Sequence, residues 1–139
     1  MEIRKLLVAN RGEIAVRVFG SCRRLGIGTI AVFAPDDEDA FHTRQADATI
    51  PIGSYLDPAE LIRAAREAGA DAIHPGYGFF AENAAFARAC AEAGIAFIGP
   101  RPETIEALGD KLAGKSVGIV LSGANIDRET LRRVLNGLI

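Results

Sequence analysis

The chain has 139 residues, 49% of them hydrophobic and 24% charged, with a formal net charge of −2. That balance gives one ordinary globular domain and argues against disorder. Interleaved acids and bases supply no basic field for nucleic acid, and no apolar run approaches the roughly 20 residues that span a bilayer.

In chain order, short apolar runs alternate with longer helical patterns. The opening stretch Leu6–Ala9 is too brief for the core of a signal peptide, which points to a cytoplasmic protein. The spacing predicts strands over Lys5–Ala9, Thr29–Ala34, Ala48–Ile52, Ala72–His74, Ala96–Ile98 and Ser116–Leu121. These runs are nearly continuous rather than alternating, as for parallel strands covered on both faces. Helices fill the gaps. The first is expected over Ile14–Leu25. Asp57-Pro58-Ala59-Glu60 starts another with a capping carboxylate, a proline at the first position and a glutamate able to reach back. Leu25-Gly26-Ile27, Ala68-Gly69-Ala70 and Ala93-Gly94-Ile95 each close a helix before a strand. The expected fold is therefore α/β, a Rossmann-like three-layer doubly wound sheet of about six mainly parallel strands, forming one domain over 1–139. Cys22 and Cys90 lack CxxC spacing and read as buried reduced thiols.

Two turns carry candidate chemistry. Asn10-Arg11-Gly12-Glu13 joins the first strand to the first helix, where backbone N–H groups and a dipole end can face an anion. It carries one glycine rather than G-x-G-x-x-G, so taken alone it reads first as a plain tight turn with a capped helix and second as an anion site. His74-Pro75-Gly76-Tyr77-Gly78-Phe79, followed by Glu82-Asn83, leaves a strand at the sheet's carboxyl edge, where open α/β folds place ligands.

Leu7-Val8-Ala9-Asn10-Arg11-Gly12-Glu13-Ile14-Ala15, Ala72 to Phe79 with Glu82-Asn83, Phe97-Ile98-Gly99-Pro100 and Gly109-Asp110-Lys111 occur in this order in biotin carboxylases. Phe41-His42, Ala46-Asp47 and Ser54-Tyr55-Leu56 fit between them. Residues 1–111 thus resemble the N-terminal, pre-ATP-grasp domain of the acetyl-CoA, propionyl-CoA and pyruvate carboxylase family. The resemblance implies that Tyr77, Gly78 and Glu82 border the biotin and bicarbonate site and that Lys111 contacts ATP. In the full family enzyme ATP and Mg²⁺ activate bicarbonate as carboxyphosphate, and biotin on a carrier protein is then carboxylated. Family members pair partly through this domain, so a homodimer is an open expectation.

After Lys111 the pattern departs from the family. Residues 115–139 resemble the C-terminal strand and helix of threonine dehydratase and serine racemase, pyridoxal-phosphate enzymes in which a serine meets the cofactor's pyridine nitrogen; Ser122 takes that place. No Schiff-base lysine or glycine-rich phosphate cup accompanies it. The expectation is a chimera, natural or engineered, whose strand Ser116–Leu121 and helix Arg128–Leu138 add a sixth strand and its cover to a carboxylase domain. Such a chain would hold no cofactor and have no turnover by itself. The alternatives are a purely structural α/β chimera, or a weak small-molecule binding module using Gly12, Gly76–Gly78 and Ser122.

Overall fold

The computed structural model describes residues 2–112, with side chains to residue 107. Two compact units divide the chain, Met1–Gly109 and Asp110–Ile139, and the sheet belongs wholly to the first. Its strands are β1 (Lys5–Val8), β2 (Gly28–Phe33), β3 (Ala48–Pro51), β4 (Ala72–His74) and β5 (Ala96–Phe97). Every pairing is parallel, and the order across the sheet is β3-β2-β1-β4-β5. The described residues thus hold five strands rather than six, because Ser116–Leu121 lies outside them. The same is true of the helix expected over Arg128–Leu138.

The continuous apolar runs have a direct cause. Successive side chains of a strand point to opposite faces. In β1, Leu6 and Val8 pack with Ala15, Phe19 and Cys22 of helix α1 (Gly12–Arg24). Leu7 and Ala9 face the other way, toward Leu61, Ala64 and Ala65 of α2 (Pro58–Ala68) and Phe86 and Cys90 of α3 (Ala84–Glu92). A central strand with helices on both sides has no polar face to show.

Local chemistry sets the helix ends. Asp57 Oδ1 accepts from the N–H groups of Ala59 and Glu60 at 2.9 and 3.3 Å, and Asn83 Oδ1 accepts from Phe86 N–H at 2.9 Å. Glu60 does not reach back to its own cap as expected. Its carboxylate accepts from Gly53 N–H and from Arg63 instead, tying the loop after β3 to α2. At the other end Gly69 turns left-handed at φ 65°, and Ala70 N–H returns to Ala65 C=O at 2.8 Å. Helix α1 starts two residues earlier than expected, at Gly12, and ends at Arg24. The last helix among the described residues, α4 (Pro102–Leu112), follows β5; its Glu106 pairs with Arg88 of α3 at 2.6 Å.

Between β2 and β3 the chain makes two single turns of 3₁₀ helix, Pro35–Asp37 and Thr43–Gln45. From β1 the chain builds outward through β2 to β3, then crosses back beyond β1 to lay down β4 and β5. The direction of winding therefore reverses between β1 and β4. Their carboxyl ends part there, which is where a doubly wound sheet opens a crevice.

Candidate functional site

The two candidate turns flagged in the sequence meet at this reversal point. After β1, Asn10 is buried at 5% exposure. Its side-chain amide donates to the carbonyls of Pro75 and Tyr77, both at 2.9 Å, and its oxygen accepts from Arg11 N–H at 2.9 Å. All three bonds are made at the junction of the turns. Gly76 is required there: it sits at φ 71°, and a Cβ would lie 2.5 Å from Asn10 Nδ2.

His74, the last residue of β4, accepts at Nδ1 from Gly76 N–H at 3.0 Å. That bond needs an unprotonated Nδ1, and burial pushes the imidazole pKa below its ordinary value. His74 is thus a neutral strut under the loop rather than a base facing solvent. Beyond it Tyr77 projects outward, 61% exposed. Phe79 holds φ at 45°, a left-handed conformation that costs a side-chain-bearing residue on the order of 1–3 kcal/mol. Its ring stacks on Tyr55 at 5.9 Å between centroids.

A charged group borders the loop on the other side. Arg11 pairs with Asp37 at 3.1 Å, and its guanidinium carbon lies 5.7 Å from the Tyr55 ring centroid. Burial raises the Asp37 carboxyl, but the hydrogen bond and charge of Arg11 outweigh it and leave the pKa below the usual carboxylate range. Burial, then the Asp37 charge, push the Tyr55 hydroxyl well above its ordinary value. Tyr55 stays a neutral donor, and gives its proton to Val32 C=O at 3.2 Å. Behind it His42 is fully buried, with Nε2 3.1 Å from the same carbonyl.

Of the residues flagged in the sequence, Tyr77, Gly78 and Glu82 are brought onto one loop, with Glu82 exposed just before the α3 cap. Lys111 lies in the last turn of α4, and its side chain is not among those described; Ser122 lies outside the described residues. Asn10 and Arg11 belonged to the first candidate turn but their side chains were given no role, and Asp37 and Tyr55 were not singled out as site residues. Asn10 did carry a signal, a polar residue closing an otherwise apolar central strand. Tyr55 stood only within a family motif and Asp37 had no signal, since both reach the edge from segments after β2 and β3. Among the described residues no three His, Cys, Asp or Glu side chains come together as a metal ion needs. Cys22 and Cys90 are buried free thiols, and burial pushes Cys90 up to about 11.

A five-stranded parallel sheet with two loops locked together at its reversal point defines a doubly wound α/β domain. The model of the family described as "Biotin carboxylase, N-terminal domain" matches residues 2–105, and the chain belongs to that family. It is 50% identical over 119 residues to the biotin carboxylase of Halalkalibacterium halodurans, an alignment covering 81% of this chain and 26% of that one. With the methylcrotonoyl-CoA carboxylase subunit alpha of Oryza sativa subsp. japonica it shares 45% identity over 148 residues, 96% of this chain and 20% of the other. In three dimensions it matches the solved biotin carboxylase domain of a thermophilic 2-oxoglutarate carboxylase bound to bicarbonate, at a TM-score of 0.77 and 49% identity. That match covers 80% of this chain and 26% of the other. The chain therefore spans about a quarter or less of the relatives it matches.

The expected likeness of residues 115–139 to pyridoxal-phosphate enzymes gains no support. The alignment with the rice subunit covers 96% of this chain and so continues past Lys111, where that likeness was to begin. A strand, a Ser-Gly turn and a helix make a short pattern that many α/β units satisfy, so on its own it points to no particular family.

Proposed function

We propose that this chain supplies the biotin and bicarbonate edge of an ATP-dependent carboxylase that carboxylates biotin. The observation that carries this reading is the locked loop pair at the sheet's reversal point, with Tyr77, Gly78 and Glu82 along its outer side. In support, a relative with the same fold is described as bound to bicarbonate. The loop also suits a small anion. No neighbouring atom lies within 4 Å of where a Cβ on Gly78 would be, so a ligand can approach its backbone closely. Arg11 stands nearby as a positive charge already partnered by Asp37.

On this reading ATP supplies the phosphoryl group that activates bicarbonate, with Lys111 as the contact to it, and Mg²⁺ travels with the nucleotide's phosphates. The described residues then have three tasks: Gly78 offers backbone to the substrate, Tyr77 walls the pocket, and Glu82 holds negative charge at the start of α3. The same reading makes the protein cytoplasmic, consistent with its two free thiols. It also has the protein pairing with a second copy and, within a full enzyme, meeting a biotin carrier protein.

Titration of the ¹⁵N-labelled 139-residue chain with sodium bicarbonate, at constant ionic strength and pH 8, tests the proposal. Amide shifts at Tyr77–Glu82 with a millimolar midpoint are expected, corresponding to about −4 kcal/mol. Shifts confined to β3, at the far edge of the sheet, would overturn it.

A further inference from the structure

We propose that Asn10 is a positioning residue for this site, and that it acts by fixing which way the peptide groups of the 75–78 loop face. The inference rests on the reading of the loop as a bicarbonate and biotin edge and adds a residue to it. A primary amide has two N–H donors. Asn10 spends them on two carbonyls of one loop, Pro75 and Tyr77, each at 2.9 Å. Its oxygen is occupied by Arg11 N–H, so the side chain cannot flip without losing all three bonds.

The described residues contain no cis peptide bond, and in a trans peptide the C=O and the following N–H point in opposite directions. Turning Tyr77 C=O inward to Asn10 therefore turns Gly78 N–H away from it. That N–H is given no acceptor by the described residues, unlike Gly76 N–H, which is taken by His74. A fixed, outward N–H with no acceptor among the described residues is what an anionic substrate requires of a backbone. The fit is tight from both sides, since a Cβ on Gly76 would collide with Asn10 Nδ2 at 2.5 Å. The pairing also reaches over more than 60 residues of sequence, from the end of one strand to the loop after another.

The informative variant is Asn10→Asp. It keeps the shape and the acceptor for Arg11 N–H but replaces both donors with a carboxylate facing two carbonyls. At pH 8 the amide resonances of Gly76, Tyr77 and Gly78 are expected to move without any ligand, and bicarbonate binding to weaken at least tenfold. As the pH falls and the carboxyl gains a proton, one donor returns, so those three resonances should move back toward wild-type positions. A side chain that only filled space would show no such reversal. Gly76→Ala provides a second route, because it forces the loop off an intact Asn10; it should weaken bicarbonate binding to a similar degree. Unchanged loop resonances in Asn10→Asp, or wild-type bicarbonate binding in both variants, overturn the assignment. If the wild-type chain shows no bicarbonate response at all, the reading of the ligand fails. The positioning claim is then decided by the loop resonances and their pH reversal alone.

Discussion

Thr29 and Asp47 show how single residues carry the sheet's outer half. Asp47 Oδ2 accepts from both Thr29 N–H and Thr29 Oγ1, at 2.8 and 2.7 Å, and Asp47 N–H donates back to Oγ1 at 3.0 Å. The hydroxyl and then the backbone N–H of Thr29 hold the Asp47 carboxyl below its usual range, against a smaller opposing effect of burial. A carboxyl with a depressed folded pKa contributes stability that is present above the unfolded value, about 3.9, and lost as the pH falls through the folded value. Thr29→Val keeps the shape of this buried residue and removes the hydroxyl. It should cost about 1 kcal/mol at pH 7. Because the hydroxyl is the main cause of the depression, the gap from wild type should stay constant down to about pH 5 and narrow below about pH 4. Urea melts across that range decide it; a gap that widened with acid would mean that the hydroxyl's partner is not an ionised Asp47.

At the scale of elements, α2 separates local signals from packing. Its start is set by Asp57, whose carboxylate closes two orphan N–H groups, and by Pro58 at the first position. Its place on the sheet is set by Leu61, Ala64 and Ala65, all fully buried against β1, β2 and β4. Removing the cap with Asp57→Ala should cost about 1 kcal/mol. Leu61→Ala should cost about 2–5 kcal/mol, through lost transfer energy and the cavity left behind. Denaturation midpoints should shift in that order with an unchanged slope. An equal loss from both would show that α2 is held by its ends rather than by its buried face. Helix α3 follows the same logic with Asn83 as its cap, whereas α1 has no side-chain cap and packs through Ala15, Phe19 and Cys22.

For the molecule as a whole, the carboxyl edge gathers the residues proposed for the site, and the chemistry that the described residues can supply there is limited. Phosphoryl transfer depends on metal and positive charge clamped around the phosphates. Among the described residues no three His, Cys, Asp or Glu side chains cluster, and Arg11 is already paired with Asp37. With ATP, Mg²⁺, bicarbonate and free biotin, this 139-residue chain by itself is expected to release no phosphate above buffer. Turnover abolished by Lys111→Ala would contradict that expectation and place a working nucleotide site within the chain.

What the sequence determined by itself is the local part of the design. Apolar runs such as Leu6–Ala9 announced strands covered on both faces, and Asp57-Pro58 and Gly69 marked the two ends of a helix, because these signals act within a few residues. The order of motifs from Leu7 to Pro100 also announced the family, and the described strands begin and end within a residue of expectation. Tertiary structure decided everything that joins distant segments. Glu60, placed to close its own cap, bonds to Gly53 and Arg63 because folding brings the loop after β3 within reach. Phe79 accepts a left-handed backbone beside the Tyr55 ring, an arrangement no nearest-neighbour preference would choose. Asn10 finds its two carbonyls only after β1 and β4 lie side by side, although β2, β3 and two helices separate them along the chain. Hydrogen bonds of that span depend on strand order, and strand order follows from how the two faces of the sheet are covered.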